Sequence, residues 1–466
     1  MSHNTTLKIY APFDESLIDE IPMMTEEEAE NKLQSAFDLF NDRKLWLPAH
    51  ERIQILENVL SIMKDRVEEL TKIAAQEGGK PYQDSKVEVL RAINGVKIAQ
   101  EEISQIKGTQ IPMGQTASSM HRIAFTMREP IGVVFSISAF NHPLNLIIHQ
   151  TVTAFVAGCP VIVKPASTTP LSCFAFLKIL REAGLPEGWV EPLICSNEIA
   201  EKIATDPRVN YLSFIGSAKV GWYLKSKLAP GTRCALEHGG AAPVIVEKDA
   251  KFENLIPSML KGGFYHAGQV CVSVQRIFVH EAIAKTFADQ LAESARKLKV
   301  GDPLNPETEV GPLISPKETE RIAEWVEEAR KSGATILCGG NKISNTCFEP
   351  TVIWNPSREA KVSTLEIFGP VVCIYPFSDR QKAIDQANEL PFHFQAAVFT
   401  QDIDLAMDTV QQLNATAVMV NDHTAFRVDW MPFGGRDKSG EGLGGIPYSI
   451  HEMTREKLLV IKSPYL

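Results

Sequence analysis

The feature that most constrains this chain is an alternation that sets in at Ile131. Short apolar runs bounded by turn residues take turns with longer segments of helical spacing. In order they are IGVVFSI (131–137), PLNLIIHQTVTAFVAG (143–158), PVIVKP (160–165), TPLSCFAFLKILREAG (169–184), VEPLI (190–194), a helical stretch over 197–205, VNYLSFI (209–215) and a helix opening after Gly216. Buried strands in rotation with helices predict an α/β fold, a mostly parallel sheet with helices on both faces. A second alternating series begins near Pro243 and runs to about Phe433. With 466 residues the chain exceeds one core, so two large domains with small appendages are expected.

Before the alternation the chain reads helical over 25–42 and 48–76, and 82–106 continues the pattern. Residues 110–130 then carry Pro, Gly and Ser around short extended runs, the signature of a projecting hairpin. The closing EKLLVIK (456–462) reads as a short strand paired away from its own domain. GEGLGG (440–445) reads as a flexible turn with no helix after it and no phosphate role.

A formal charge of −10, from 47 basic and 57 acidic residues without a basic run, argues against nucleic acid as a partner. It leaves room for a phosphorylated small molecule in a local pocket. No apolar stretch approaches the ~20 residues that span a bilayer, and the first residues lack a signal-peptide pattern. The expectation is a cytoplasmic protein without a membrane partner. The eight Cys form no C-x-x-C, and no HExxH occurs, so no metal site is expected. Most of these thiols are expected to be small buried hydrophobes.

Cys271 stands apart. In FYHAGQVCVSVQRIFV it falls on a tight turn between a helix ending near Gly268 and a strand beginning near Ser273. Its neighbours Val270, Val272 and Ser273 are small enough to let the sulfur face a cleft. The alternative is one more buried thiol. Glu237, in RCALEHGGAAPVIV, ends a strand just before Gly239 and Gly240, where α/β folds carry reactive groups and where a carboxylate can activate water. Its alternative is a capping carboxylate. Asn141 follows the strand 131–137 directly; a neutral amide there can stabilise an oxyanion, or simply shape a turn. FIGSAKVG (214–221) opens a helix after a strand, so its backbone N–H groups can meet a phosphate, although it is neither a Walker A loop nor GxGxxG. Lys164 stands just past a strand end, where ligands of such sheets bind.

Together these segments resemble the aldehyde dehydrogenase superfamily over nearly the whole chain. They are FNHP (140–143), KPAS (164–167), FIGSAKVG, LEHGG (236–240), GQVC (268–271), EIFGP (366–370) and PFGGRDKSGEG (432–442), in the family's order. The resemblance implies two doubly wound α/β domains and a small β oligomerisation element. Residues 1–109 and 129–237 would form an NAD(P)-binding, Rossmann-like domain, and 238–432 a catalytic domain. Residues 110–128 and 448–466 would be the oligomerisation hairpin and strand, and 433–447 would return to the cofactor domain. A homodimer or homotetramer follows.

In this resemblance Cys271 is the nucleophile. Asn141 holds the oxyanion together with the Cys271 backbone N–H, and Glu237 is the base for deacylation. Lys164 and Ser167 contact the adenosine ribose end, Gly216 and Ser217 the pyrophosphate. Glu366 takes the nicotinamide ribose and Phe368 packs beside the nicotinamide. Many NAD-preferring members carry Glu where Ser167 stands; serine removes the repulsion toward a 2′-phosphate, so NADP is expected, with NAD possible. The run NDHTAFRVDWMPFGG (421–435) is similar to a branch that includes lactaldehyde, non-phosphorylating glyceraldehyde-3-phosphate, phosphonoacetaldehyde and sulfolactaldehyde dehydrogenases. Arg427 then looks like an anion-binding residue, with Arg91 and His142 as companions; the alternative for each arginine is a structural ion pair. Val270 stands where some phosphonate-specific relatives carry a basic residue, and AFNHP and EHGG depart from the more frequent PWN and ELGG. The implied activity is NAD(P)-dependent oxidation of a small polar or anionic aldehyde to its acid through a Cys271 thioester. The presence of Glu237 sets it against a CoA-acylating enzyme, and the three chemical groups together set it against a catalytically silent structural relative.

Overall fold

The computed structural model describes residues 6–466. Its two large sheets are those the alternation predicts. The first has six strands in the spatial order Gly440–Glu441, Arg233–Glu237, Val209–Ile215, Val133–Ile137, Val161–Lys164, Val190–Pro192, all parallel except the first. The earliest of these in sequence, Val133–Ile137, lies in the middle. The chain winds away from it in one direction and then in the other, which makes its carboxyl end a topological switch point, the place where open α/β sheets bind ligands.

The central strands are mostly apolar because both faces are covered, with Ser136, Asn210, Ser213 and the strand-end Lys164 as their polar positions. Val134, Val161 and Val163 point into a core shared with the helices Tyr82–Glu102, Asn145–Ala157 and Leu171–Glu182. Val133, Phe135 and Ile162 point the other way, toward Ala29, Leu33 and Ile203 of the helices Glu26–Asn41 and Asn197–Ala204. The second sheet has seven strands in the order Thr335–Cys338, Thr351–Trp354, Val371–Phe377, Val274–His280, Ala242–Val246, Gln395–Phe399, Ala417–Val420, again parallel but for its first edge strand. A three-stranded antiparallel sheet completes the picture. Thr454–Lys462 pairs along its whole length with Arg122–Pro130, and the latter pairs with Gln110–Ile111. No helix among the described residues is long and apolar enough to cross a membrane.

Three details differ from the sequence reading. The helix expected over 48–76 is two, Ala49–Asp65 and Val67–Gly78. The break is at Arg66, whose φ of −111° and ψ of 21° leave the helical region and whose guanidinium is held by Glu182. Apolar spacing continues across it, so periodicity alone conceals it. The described residues open on a hairpin, Thr6–Tyr10 with Leu17–Pro22, a segment to which the sequence reading assigned no element. GEGLGG is not a free turn followed by coil: Gly440 and Glu441 pair with Glu237 and Leu236, and the helix Ile446–Glu452 follows at once, with Pro447 in its first turn.

The Asn145–Ala157 helix is buried at all 13 positions, so its first N–H groups have no water to turn to. Glu88, from the Tyr82–Glu102 helix, supplies the acceptor: its Oε1 takes the N–H of Leu144 and of Asn145, each at 3.0 Å. That buried carboxylate is neutralised by the equally buried Lys80 ammonium. The pair therefore sets the start of the helix that follows Asn141. Lys80→Met is expected to cost about 3–5 kcal/mol, because it strands Glu88 as an unpaired buried charge. Adding Glu88→Gln is expected to recover most of the loss, since an amide oxygen still accepts from Leu144 and Asn145. Urea-transition midpoints of the three proteins check this; equal midpoints for wild type and Lys80→Met would contradict it.

Candidate active site

The nucleophile candidate sits where the second sheet's first crossover helix stops. The Phe252–Phe264 helix runs into a tight turn in which His266 and Ala267 take left-handed φ of 49° and 52°, followed by Gly268 at 70°. Such conformations cost side-chain-bearing residues of the order of 1–2 kcal/mol each, so something must hold them. A Cβ on Gly268 would lie 2.0 Å from the Gly369 carbonyl oxygen, which explains the glycine. The clamp is Gln269. Its Nε2 donates to the carbonyls of His266 and Pro312, both at 3.2 Å, and its Oε1 accepts from the Ile314 N–H at 2.9 Å. On the far side Thr424 Oγ1 donates to Val272 O at 2.6 Å and Ser273 Oγ to Gly262 O at 3.0 Å. Cys271 is thus fixed from both flanks.

The first sheet delivers the other groups at its carboxyl ends. Asn141, four residues past Ile137, donates from Nδ2 to the Gln269 carbonyl at 3.0 Å, which ties it to the nucleophile's loop and leaves its second N–H free. Glu237 is the last residue of its strand; its carbonyl accepts from Gly216 N–H at 3.0 Å and its backbone is backed by Gly440. Cys271, Asn141 and Glu237 line one cavity of about 660 Å³, together with Gly216, Ser217, Glu366, Phe368, Arg91, His142 and Arg427. Ten of the twelve candidate residues therefore meet. The remaining two, Lys164 and Ser167, flank Ala166 of the lining: Lys164 is buried at its strand end and Ser167 is exposed.

Electrostatics differentiate these groups. Burial pushes the Cys271 thiol well above the usual range, the nearby Glu237 carboxylate adds to the push, and Arg427 opposes it. Glu237 is itself raised by burial and lowered by Arg427, whose Nη1 stands 4.0 Å from its Oε1. Glu366, deeply buried, is pushed up to about 8, partly countered by the Gly240 N–H it accepts at 3.1 Å. Burial and neighbouring cations keep His142 neutral, with its Nε2 3.2 Å from the Tyr265 hydroxyl.

The two arginines part company. Arg91 is engaged by Asp429, at 3.2 Å from Nε and 2.8 Å from Nη2, so the ion-pair alternative holds for it even though it reaches the cavity. Asp429 also accepts from Asn145 Nδ2 at 3.2 Å and lies 2.8 Å from His149 Nε2. Arg427 has only the long approach to Glu237, lies 3.5 Å over the Phe433 ring, and keeps its Nε buried without a partner.

Residues that fit a dinucleotide are present. Ser217 precedes the Ala218–Lys225 helix and its hydroxyl makes no capping bond. A Cβ on Gly239 would lie 1.6 Å from Glu366 Oε1, so only glycine lets that carboxylate reach across. His238, marked in the sequence only as a departure, is buried between Phe214 and Trp222 and sets its Nδ1 2.8 Å from the Gly216 carbonyl, holding the strand-to-helix turn. Gln269 and Asp429 were also missed. Gln269 lay inside a quoted motif, and Asp429 stands two residues from Arg427, but a clamp and a counter-ion show only when distant segments are brought together.

The model of the aldehyde dehydrogenase family matches residues 1–459. The chain is 38% identical over 443 residues to a 3-sulfolactaldehyde dehydrogenase of Priestia aryabhattai, covering 95% of this chain and 92% of that one. It is 36% identical over 460 residues to a lactaldehyde dehydrogenase of Methanocaldococcus jannaschii, covering 98% and 97%. The crystal structure of the glyceraldehyde-3-phosphate dehydrogenase GapN of Methanocaldococcus jannaschii, complexed with NADP, superposes with a TM-score of 0.94 at 35% identity, covering 99% of this chain and all of that one. The chain belongs to the aldehyde dehydrogenase family. It is an aldehyde-oxidising dehydrogenase, and these relatives bear the names of the expected branch.

Because Glu237 disfavours the Cys271 thiolate, Glu237→Gln is expected to speed iodoacetamide labelling of Cys271 at pH 8. In the unmodified protein labelling is expected to keep accelerating past pH 9 rather than level off near the ordinary thiol value of about 8.5. Peptide mass spectrometry across pH reads both. An unchanged or slower rate in the variant would contradict the assignment of the charge effect.

Proposed function

We propose that this enzyme oxidises a small anionic aldehyde with NADP and releases the acid by hydrolysis. The observation that carries the reading is the meeting of Cys271, Asn141, Glu237 and the singly engaged Arg427 in one cavity. Cys271 loses its thiol proton to solvent, and the thiolate, a minority form at this buried position, attacks the aldehyde carbon. The free N–H of Asn141 and the Cys271 backbone N–H take up the charge that forms on oxygen. When bound, the nicotinamide supplies the hydride acceptor that turns the thiohemiacetal into a thioester. Lys164, Ser167, Gly216, Ser217, Glu366 and Phe368 would hold that cofactor. Glu237 then takes a proton from water, which attacks the thioester carbonyl; the C–S bond breaks and the acid leaves. A carboxylate raised by burial suits that task, since a base works best when its affinity for protons is near the operating pH.

The preference for an anion is supported by Arg427, whose charge is the one left open once Asp429 has engaged Arg91. It agrees with relatives named for a sulfonated and a phosphorylated aldehyde. NADP is supported by the exposed Ser167, which offers a 2′-phosphate no repulsion, and by the neighbour solved with NADP. The three-stranded sheet, with Ile123, Met127, Leu458 and Val460 exposed, is the surface we assign to assembly as a dimer or tetramer.

Two experiments test this. Glu237→Gln is expected to keep a first burst of one reduced cofactor per Cys271 and to slow steady turnover by about 10²–10⁴-fold. A variant that turns over normally, or that loses the burst, removes Glu237 from deacylation. Steady-state kinetics over charged and neutral aldehydes with both cofactors should give a higher kcat/KM with NADP. Arg427→Ala should raise KM for charged aldehydes about 10–100-fold, as for a lost charged hydrogen bond, and leave that for propanal nearly unchanged. Equal effects on both aldehydes, or a strong NAD preference, would overturn the corresponding half of the reading.

A further inference from the structure

Anion binding gives Arg427 one task; its position beside Glu237 points to another. Its Nη1 stands 4.0 Å from the Glu237 carboxylate, its face lies on Phe433, and its Nε is buried without a partner. Glu237 is the carboxylate within ion-pair distance of it among the described residues. Asp429 is committed to Arg91, Asn145 and His149. The same guanidinium therefore faces both the substrate's side of the cavity and the base. Its donors lie in one rigid plane, and a closer partner for them weakens the hold on a distant one.

We propose that Arg427 couples substrate charge to the base: an anionic group on the substrate draws the guanidinium off Glu237, so that an anionic substrate makes Glu237 the stronger base in the acyl-enzyme it hydrolyses. This rests on the reading of Arg427 as the anion site and Glu237 as the deacylation base. The sign follows from two opposed effects. Burial raises the proton affinity of Glu237 and Arg427 lowers it. Withdrawing Arg427 leaves burial unopposed. The base must be ionised to act, so the fall in deacylation rate on the acid side moves to higher pH, while above it a more basic carboxylate works faster.

Other titratable groups of the cavity do not respond in the same way. Cys271 is an uncharged thioester at this stage. His142 and His149 also feel Arg427, but burial is the larger cause that holds each toward the neutral form, as it does His238, and Arg91 is closed by Asp429. Glu366 is raised by burial, and its contacts are to the Gly240 N–H and, at longer range, Arg321.

The test compares two acyl-enzymes of the wild type, formed from 4-oxobutanoate and from its neutral amide. Single-turnover rapid quench from pH 5 to 9 gives the thioester hydrolysis rate of each. The acid limb for the anionic substrate is expected about one pH unit above that for the amide, the lower end of what an opposite charge at this range produces. In Arg427→Gln the amide's limb is expected to move up to the wild-type anionic position. Coincident limbs in the wild type overturn the coupling, and this arm does not depend on the variant folding. The supporting readings can fail separately. If Arg427→Gln raises KM equally for both substrates, the anion site is wrong. If KM separates but the wild-type limbs coincide, the anion site stands and only the coupling falls.

Discussion

The site depends on the side-chain amide of Gln269. The turn before Cys271 holds two non-glycine residues and one glycine in the left-handed region, a conformation the sequence does not favour locally. Gln269 offsets that cost by bonding His266 within the turn and Pro312 and Ile314 across it, while its backbone carbonyl receives Asn141 from the other sheet. One residue thereby fixes both the attitude of the turn that carries Cys271 and its distance from Asn141. A glutamate there would lack the Nε2 donor that holds the His266 and Pro312 carbonyls and would bury a charge, so the neutral amide is a chemical requirement as much as a steric one.

Burial sets the protonation states that the chemistry uses. A few carboxylates are placed at helix starts and sheet ends away from water, each with a different degree of compensation. Glu88 has two N–H donors and a lysine. Glu77 has the N–H groups of Leu171 and Ser172, at 2.6 and 2.8 Å, and no cation bonded to it; it is pushed up to about 7. Glu237 has one arginine at the edge of ion-pair range. Compensation differs with place: the carboxylate with two donors and a lysine anchors a helix, and the one that faces the thiol has a single distant arginine. Asp429 extends the same logic to the cations by closing Arg91 and leaving Arg427 open.

Much of this was legible in the chain. The alternation from Ile131 marked the central strands of the first sheet within a residue or two, because strands covered on both faces are predominantly apolar. The turn around Cys271 showed in Gly268, and the strand-end position of Glu237 in Gly239 and Gly240. Less was legible where a local pattern continues through a tertiary event. The break at Arg66 leaves apolar spacing unchanged, and the strand at Gly440 looks like loop until it pairs with Glu237. The alternatives posed for Arg91 and Arg427 could not be separated by residue type, since both are arginines near an aspartate.

By itself the sequence determined the alternating architecture, the family and the candidate residues of the site, because periodicity, turn-forming glycines and motif order are properties of neighbours along the chain. Only the tertiary structure decided which arginine is closed by an aspartate, which amide clamps the turn before Cys271 and how far each carboxylate is from a counter-charge. Those are distances between segments as much as 338 residues apart, as between Arg91 and Asp429, and the energy of a buried charge is set by such distances rather than by its place in the chain.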